Sequence, residues 1–189
     1  MEFSSLIRHL RIDLGLGVRE TARKTVSPFV PSPIKSAVYI SRLESGNSEE
    51  MPVESVTIDK MWALGTVLLV NPFELFLSSR DKEYLLPELS RVTIRECAPA
   101  LFGDFLRARR ADLGLSIREA SERATPWDVS LGYWSQMETD FRHCSSKISG
   151  EKLWSIGTAL GIDPLLLYVL SRGIDARYLN AISRERLFK

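Results

Sequence analysis

The chain repeats itself. Residues 3–20, FSSLIRHLRIDLGLGVRE, return as residues 102–119, FGDFLRARRADLGLSIRE. Residues 39–44, YISRLE, return as 133–138, YWSQME, and residues 60–66, KMWALGT, as 152–158, KLWSIGT. Blocks that recur in the same order mark a duplicated domain rather than a chance match. Each copy has about 75–80 residues, a size at which a small helical domain folds alone. A length of 189 residues leaves room for the two copies, a link and a tail.

Apolar residues fall at helical spacing. Phe3, Leu6, Ile7, Leu10 and Leu14 share one face of a first helix that Gly15 stops. A short second helix runs over about 18–25, ended by the prolines of Ser27–Pro33. Ser36 caps a third, with Ile40 and Leu43 as its inward pair and Gly46 closing it. Thr57 caps a fourth, and Asn71-Pro72 opens a fifth. The second copy reads the same way over 101–113, 117–124, 130–139, 149–160 and 163–171. No alternating strand pattern stands out, so the expected fold is all-α. The expected domains are 1–80 and 100–173, with 81–99 as linker and 174–189 as a helical tail.

Composition excludes several classes. No apolar run approaches the ~20 residues of a membrane span. The N-terminus has no basic segment followed by an apolar one, so no signal peptide is expected, and the expected location is cytoplasmic. Cys97 and Cys144 occupy unmatched places without Cys-x-x-Cys spacing, which argues for a reducing compartment, no disulfide framework and no metal. His9 and His143 do not correspond between copies, and neither a nucleophile–base set nor a glycine-rich phosphate loop is visible. No enzyme and no cofactor are therefore expected. Net charge is only +1, a weak signal for a nucleic-acid partner unless the charges segregate by face.

Two short helices joined by a link, the second opened by a serine, suggest a helix-turn-helix. In each copy the motifs resemble those of the Cro/CI-type (XRE-like) repressor family. The first copy carries Ile7-Arg8, Arg11 and Gly15-Leu16, then Ser36, Ile40-Ser41-Arg42-Leu43-Glu44, then Leu68-Leu69-Val70-Asn71-Pro72. The second carries Leu106-Arg107, Arg110 and Gly114-Leu115, then Ser130, Trp134-Ser135-Gln136-Met137-Glu138, then Leu160-Gly161-Ile162-Asp163-Pro164. The resemblance covers about four-fifths of the chain and implies two lambda-repressor-like five-helix domains in tandem, with double-stranded DNA as partner.

The resemblance also assigns roles. The third helix of each copy is the expected recognition helix, placing Ala37, Val38 and Arg42, and Leu131, Gly132 and Gln136, at base edges. Arginine forks onto guanine and glutamine onto adenine, while Ala37 and Leu131 suit thymine methyls. Arg19, Lys35, Ser36, Tyr39 and Asn47, with Arg118, Ser130, Tyr133 and Arg142, are expected at the DNA backbone. Each tyrosine equally suits a role covering the second helix. Arg11 with Glu44, and Arg110 with Glu138, are expected as internal ion pairs. Trp62 and Trp154 are expected in the core, and Gly65 and Gly157 where helices approach closely.

Departures accompany the match. The link between the second and third helices exceeds the usual three or four residues in both copies, by about eight in the first and about three in the second. The insertions put Lys35, Phe29 and Trp127 beside the readout face. Val18 and Ile117 stand where a polar residue usually opens the second helix. The expected activity is sequence-specific regulation of transcription by a repressor. It acts as its own pseudo-dimer on an imperfect palindrome, because Arg42 and Gln136 differ. An extended linker spans roughly 50 Å, more than the ~34 Å between half-sites. The arrangement also admits a homodimer of whole chains. A reading from another class is a protein-interaction module that kept the fold, with a partner on the second repeat or the tail. Near-zero charge, the apolar Leu131–Tyr133–Trp134 run and the aromatic insertions motivate it.

Overall fold

The computed structural model describes residues 2–27, 30–46, 53–85, 102–139 and 148–173, leaving aside the Glu54 side chain. Among these residues the chain is all-helical, with ten α-helices, single 3-10 turns at Val53–Ser55 and Glu83–Leu85, and no strand. They fall into two compact units, 2–85 and 102–173. The first contains α1 (Phe3–Asp13), α2 (Val18–Lys24), α3 (Ala37–Ser45), α4 (Ile58–Leu68) and α5 (Pro72–Ser78). The second contains α6 (Phe102–Asp112), α7 (Ile117–Arg123), α8 (Leu131–Thr139), α9 (Gly150–Leu160) and α10 (Pro164–Ser171). Most of the expected linker and all of the expected tail lie outside the described residues.

Helix starts follow from caps. Thr57 and Ser149 each accept the backbone N–H three residues on, at 3.4 Å. Asn71 and Asp163 each accept the N–H two residues on, ahead of Pro72 and Pro164 at the first helical position. The polar opener that positions 18 and 117 lack is supplied one residue earlier in unit two. There Ser116 and Glu119 form a reciprocal capping box, at 3.2 and 2.7 Å. In unit one Gly17 stands at that place and offers no side chain.

The core of unit one is the α4–α5 corner, where Met61, Trp62, Leu64, Phe73 and Phe76 are fully buried. Phe73 and Phe76 meet edge to face at 5.9 Å. Unit two repeats the corner with Leu153, Trp154, Ile156, Leu165 and Tyr168. Gly65 and Gly157 make it possible. A methyl on Gly65 would meet the Val70 carbonyl at 2.6 Å, and one on Gly157 the Ile162 carbonyl at 2.7 Å. α1 and α6 pack against this corner, and α3 and α8 pack in turn on α1 and α6, with Phe3, Ile7, Ile40, Leu43, Phe102, Leu106, Trp134 and Met137 all buried.

The long α2–α3 link does not separate its helices. The Thr25 hydroxyl lies 2.8 Å from the Ala22 carbonyl and accepts the Ile34 N–H at 2.8 Å. That closes the base of the insertion, and Val30 and Ile34 fill the space beneath. In unit two the Ser121 hydroxyl performs the closure by donating to the Val129 carbonyl. The inserted residues are therefore side loops, and α2 meets α3, and α7 meets α8, across the same short contact. Trp127 is half-buried, its N–H donating to the buried Ser155 hydroxyl at 3.0 Å. Phe29 lies outside the described residues.

Two differences between the units generate measurable consequences. At the end of α4, Leu69 adopts φ 59°, ψ 38°, where unit two has Gly161 at φ 61°, ψ 42°. An L side chain is strained there. Replacing the exposed Leu69 with Gly should raise the stability of unit one by about 0.5–1 kcal/mol, read from denaturant midpoints. The second difference is at the α10 cap. Burial pushes the Asp163 carboxyl up to about 6 from 3.8, against the lowering effect of the Leu165 N–H. The folded unit thus holds this proton more tightly than the unfolded chain. The resulting stabilisation is complete below about pH 4 and is lost as pH rises through about 6. Asp163→Asn keeps the cap, as Asn71 does in unit one. It should add on the order of 2–3 kcal/mol near neutral pH and abolish the decline between pH ~4 and ~6, measured by unfolding across that range.

Candidate functional site

In both units the position of the third helix is set from behind. In unit one the Arg11 guanidinium donates through Nε to Glu44 Oε1 at 2.6 Å and through Nη2 to Glu44 Oε2 at 2.7 Å. Its Nη1 donates to the Leu16 carbonyl at 2.6 Å. One planar fork thereby joins α1, the turn into α2, and the last turn of α3. Unit two reproduces it with Arg110 Nε and Nη2 on Glu138, at 2.6 and 2.7 Å, and Nη1 on the Leu115 carbonyl at 2.7 Å. Bonding to the carboxylate raises the pKa of both guanidiniums further. Unit two adds Trp134 Nε1 donating to Glu138 Oε1 at 2.8 Å and Arg107 donating to the Glu138 carbonyl.

With the inner face held, α3 presents Val38, Ser41, Arg42 and Ser45 outward, and Val38 is 58% exposed. Together with Ala37, and with Val18 and Arg19 at the start of α2, they line an open groove of about 590 Å³. The structure thus brings Arg19, Ala37, Val38 and Arg42 onto one surface. Ser36 is exposed beside it, its hydroxyl accepting the Val38 N–H at 3.2 Å, and Lys35 is exposed next to Ser36. On unit two, Leu131 is 44% exposed, with Gly132 and Gln136 also exposed on α8 and Arg118 at the start of α7. The Ser130 hydroxyl accepts the Tyr133 N–H at 3.3 Å. Asn47 and Arg142 lie outside the described residues.

Tyr39 and Tyr133 are half-buried at the edge of these surfaces, and burial raises the Tyr39 pKa. Each sits beneath a lysine, Lys60 at 5.9 Å and Lys152 at 5.8 Å from the ring centroid. These lysines were not among the expected site residues, although both open the repeated KMWALGT and KLWSIGT blocks. Charge does not distinguish the two copies, because residues 1–80 and 100–173 each hold as many acidic as basic side chains. Among the described residues no group of three or more His, Cys, Asp or Glu is placed to hold a metal. No helix among them is long and apolar enough to cross a membrane. Cys97, Cys144 and His143 lie outside the described residues.

Comparison with protein-family models, curated proteins and solved structures finds no match to this chain. Among the described residues the geometry thus defines two similarly built all-α units, each holding one helix from behind and presenting an outward face of polar and apolar residues.

The fork makes a direct prediction. Glu138 keeps only 3% of its side-chain surface exposed, so Arg110→Ala leaves a buried carboxylate with only the more distant Arg107, 3.9 Å away, as counter-charge. Unit two should lose about 3–5 kcal/mol, and Arg110→Lys should recover little because an ammonium cannot reach all three acceptors. Urea unfolding of the variants beside the parent protein measures this.

Proposed function

We propose that this chain is a sequence-specific DNA-binding regulator of transcription, a repressor. Its two units are helix-turn-helix domains of the Cro/CI type, residues 1–80 and 100–173, joined by the 81–99 linker. The single observation carrying this reading is the α3 surface. Arg42, Val38 and Ala37 share one outward face with Arg19, while Arg11 and Glu44 lock the opposite side. A helix of nine residues is about 14 Å long and fits a major groove about 12 Å wide. Arg42 offers a bidentate fork to guanine, Val38 and Ala37 contact for a thymine methyl, and Arg19 a phosphate partner.

On α8 the corresponding positions are Leu131, Gly132 and Gln136, so the second half-site differs from the first and adenine replaces guanine as the preferred contact. The tandem chain reads both halves without a second copy. One observation favours a different role for unit two: Leu131 is exposed at the tip of α8 where unit one has the smaller Ala37. An apolar tip of that kind suits a protein partner, and the second unit then serves as an interaction module.

Selection from random double-stranded DNA with the intact protein, followed by gel shifts at two salt concentrations, tests the reading. Two unequal half-sites and a steep loss of affinity with salt are expected. Arg42→Ala should cost about 1–3 kcal/mol in affinity and relax preference at one base pair. A single half-site that unit-two substitutions leave untouched would move unit two to the interaction role. Absence of any enriched, salt-sensitive binding would overturn the regulator.

A further inference from the structure

Both units build the same corner between the α2–α3 or α7–α8 link and the next long helix, yet they fill it differently. In unit one Lys60 Nζ donates to the Ser32 carbonyl at 3.2 Å and the Pro33 carbonyl at 3.0 Å, above the Tyr39 ring. Those carbonyls belong to the inserted loop. Unit two keeps the lysine above the tyrosine, as Lys152 and Tyr133, but its link is shorter. Among the described residues the Lys152 ammonium reaches no hydrogen-bond acceptor. Beside it lies a pocket of about 330 Å³ lined by Ser121, Asp128, Val129, Ser130, Tyr133 and Lys152.

Unit one displays what this corner accepts, namely two adjacent oxygens against one ammonium. A carboxylate offers the same pair of oxygens on a single group and with a full charge, which strengthens both bonds. Asp128 also lines the pocket. Its exposed carboxylate makes no ion pair with Lys152 within 4.0 Å, so it presents an acceptor that a bare anion would meet unfavourably and an amine would satisfy. Tyr133 and Val129 add apolar surface to the lining. The volume sits at the small end of known ligand sites, about 300–1,000 Å³.

We infer that this pocket binds a small amino-carboxylate, a free α-amino acid or close analogue, with its carboxylate on Lys152 and its ammonium on Asp128. Such a ligand replaces, in unit two, the inserted chain that occupies the corner of unit one. It links α9 to the serine that opens α8. The inference stands apart from the DNA-binding reading, since neither needs the other.

The test is thermal unfolding of the full-length protein with each proteinogenic α-amino acid at millimolar concentration, beside acetate and inorganic phosphate. At about ten times its Kd, at least one amino acid should raise Tm by about 5 °C. Lys152→Met keeps the stem on Tyr133 and should abolish the shift. Asp128→Asn, at an exposed position, should weaken binding about tenfold by removing the charge on the amine's partner. Lys60→Met should leave the ligand shift in place. The inference is overturned if no amino acid shifts Tm, or if the shift survives Lys152→Met. It is also overturned if acetate or phosphate matches the best amino acid, which would make the pocket a plain anion site. Because the readout is unfolding of the protein alone, its failure leaves the DNA selection unaffected, and the converse holds.

Discussion

An arginine fork on a glutamate, made twice, is the contact on which the rest of the architecture turns. Arg11 and Arg110 each spend three donors on two elements that are distant in sequence. Two go to a carboxylate at the end of the third helix, and one goes to a carbonyl in the turn before the second. A short helix of nine residues has little stability of its own. Its orientation comes from Ile40 and Leu43, or Trp134 and Met137, pressing into the core, and from this fork fixing the far end. Any role for the outward face depends on that fixation, because a face that rocks presents no defined pattern of donors. Unit two reinforces its fork with Trp134 and Arg107, and its carboxylate is the more deeply buried of the two.

Insertions beside such a helix would be expected to disturb it, and the closure at their bases explains why they do not. Thr25 and Ser121 each spend one hydroxyl to hold the chain where it leaves and where it returns. Length added beyond a closed neck costs little further chain entropy. The extra residues then become available for local work. In unit one they satisfy Lys60, and in unit two they leave Lys152 beside a pocket. The same lysine–tyrosine pair thus meets two environments, because loop length varied while the helical frame did not.

Much of the helical frame was legible from residue order. Apolar spacing placed the elements, Ser36, Thr57, Ser149, Asn71 and Asp163 marked their starts, and Pro72 and Pro164 marked the last helix of each unit. These signals are local, since a cap binds an N–H two or three residues away. The recurrence of Trp62 as Trp154 and of Gly65 as Gly157 identified the core corner, though what the glycines admit is a carbonyl and a proline ring. For the site, recurrence singled out the arginines and glutamates and periodicity singled out the outward positions of α3 and α8. Recurrence also marked Lys60 and Lys152, but nothing local gave their role, because their partners lie on other elements.

The sequence by itself determined that the chain is helical and duplicated, because periodicity, caps and repeats are properties of order along the chain. Only the tertiary structure decided that each of the paired arginines also binds a backbone carbonyl, of Leu16 or Leu115. It also decided that the α2–α3 link closes at Thr25 and Ile34, that Val38 and Arg42 share a groove with Arg19, and that Lys152 stands over Tyr133 without an acceptor among the described residues. Each of those facts joins residues whose separation in sequence carries no information about their distance. They are settled by how side chains of particular volume fill a common core, and by where buried polar groups must find partners.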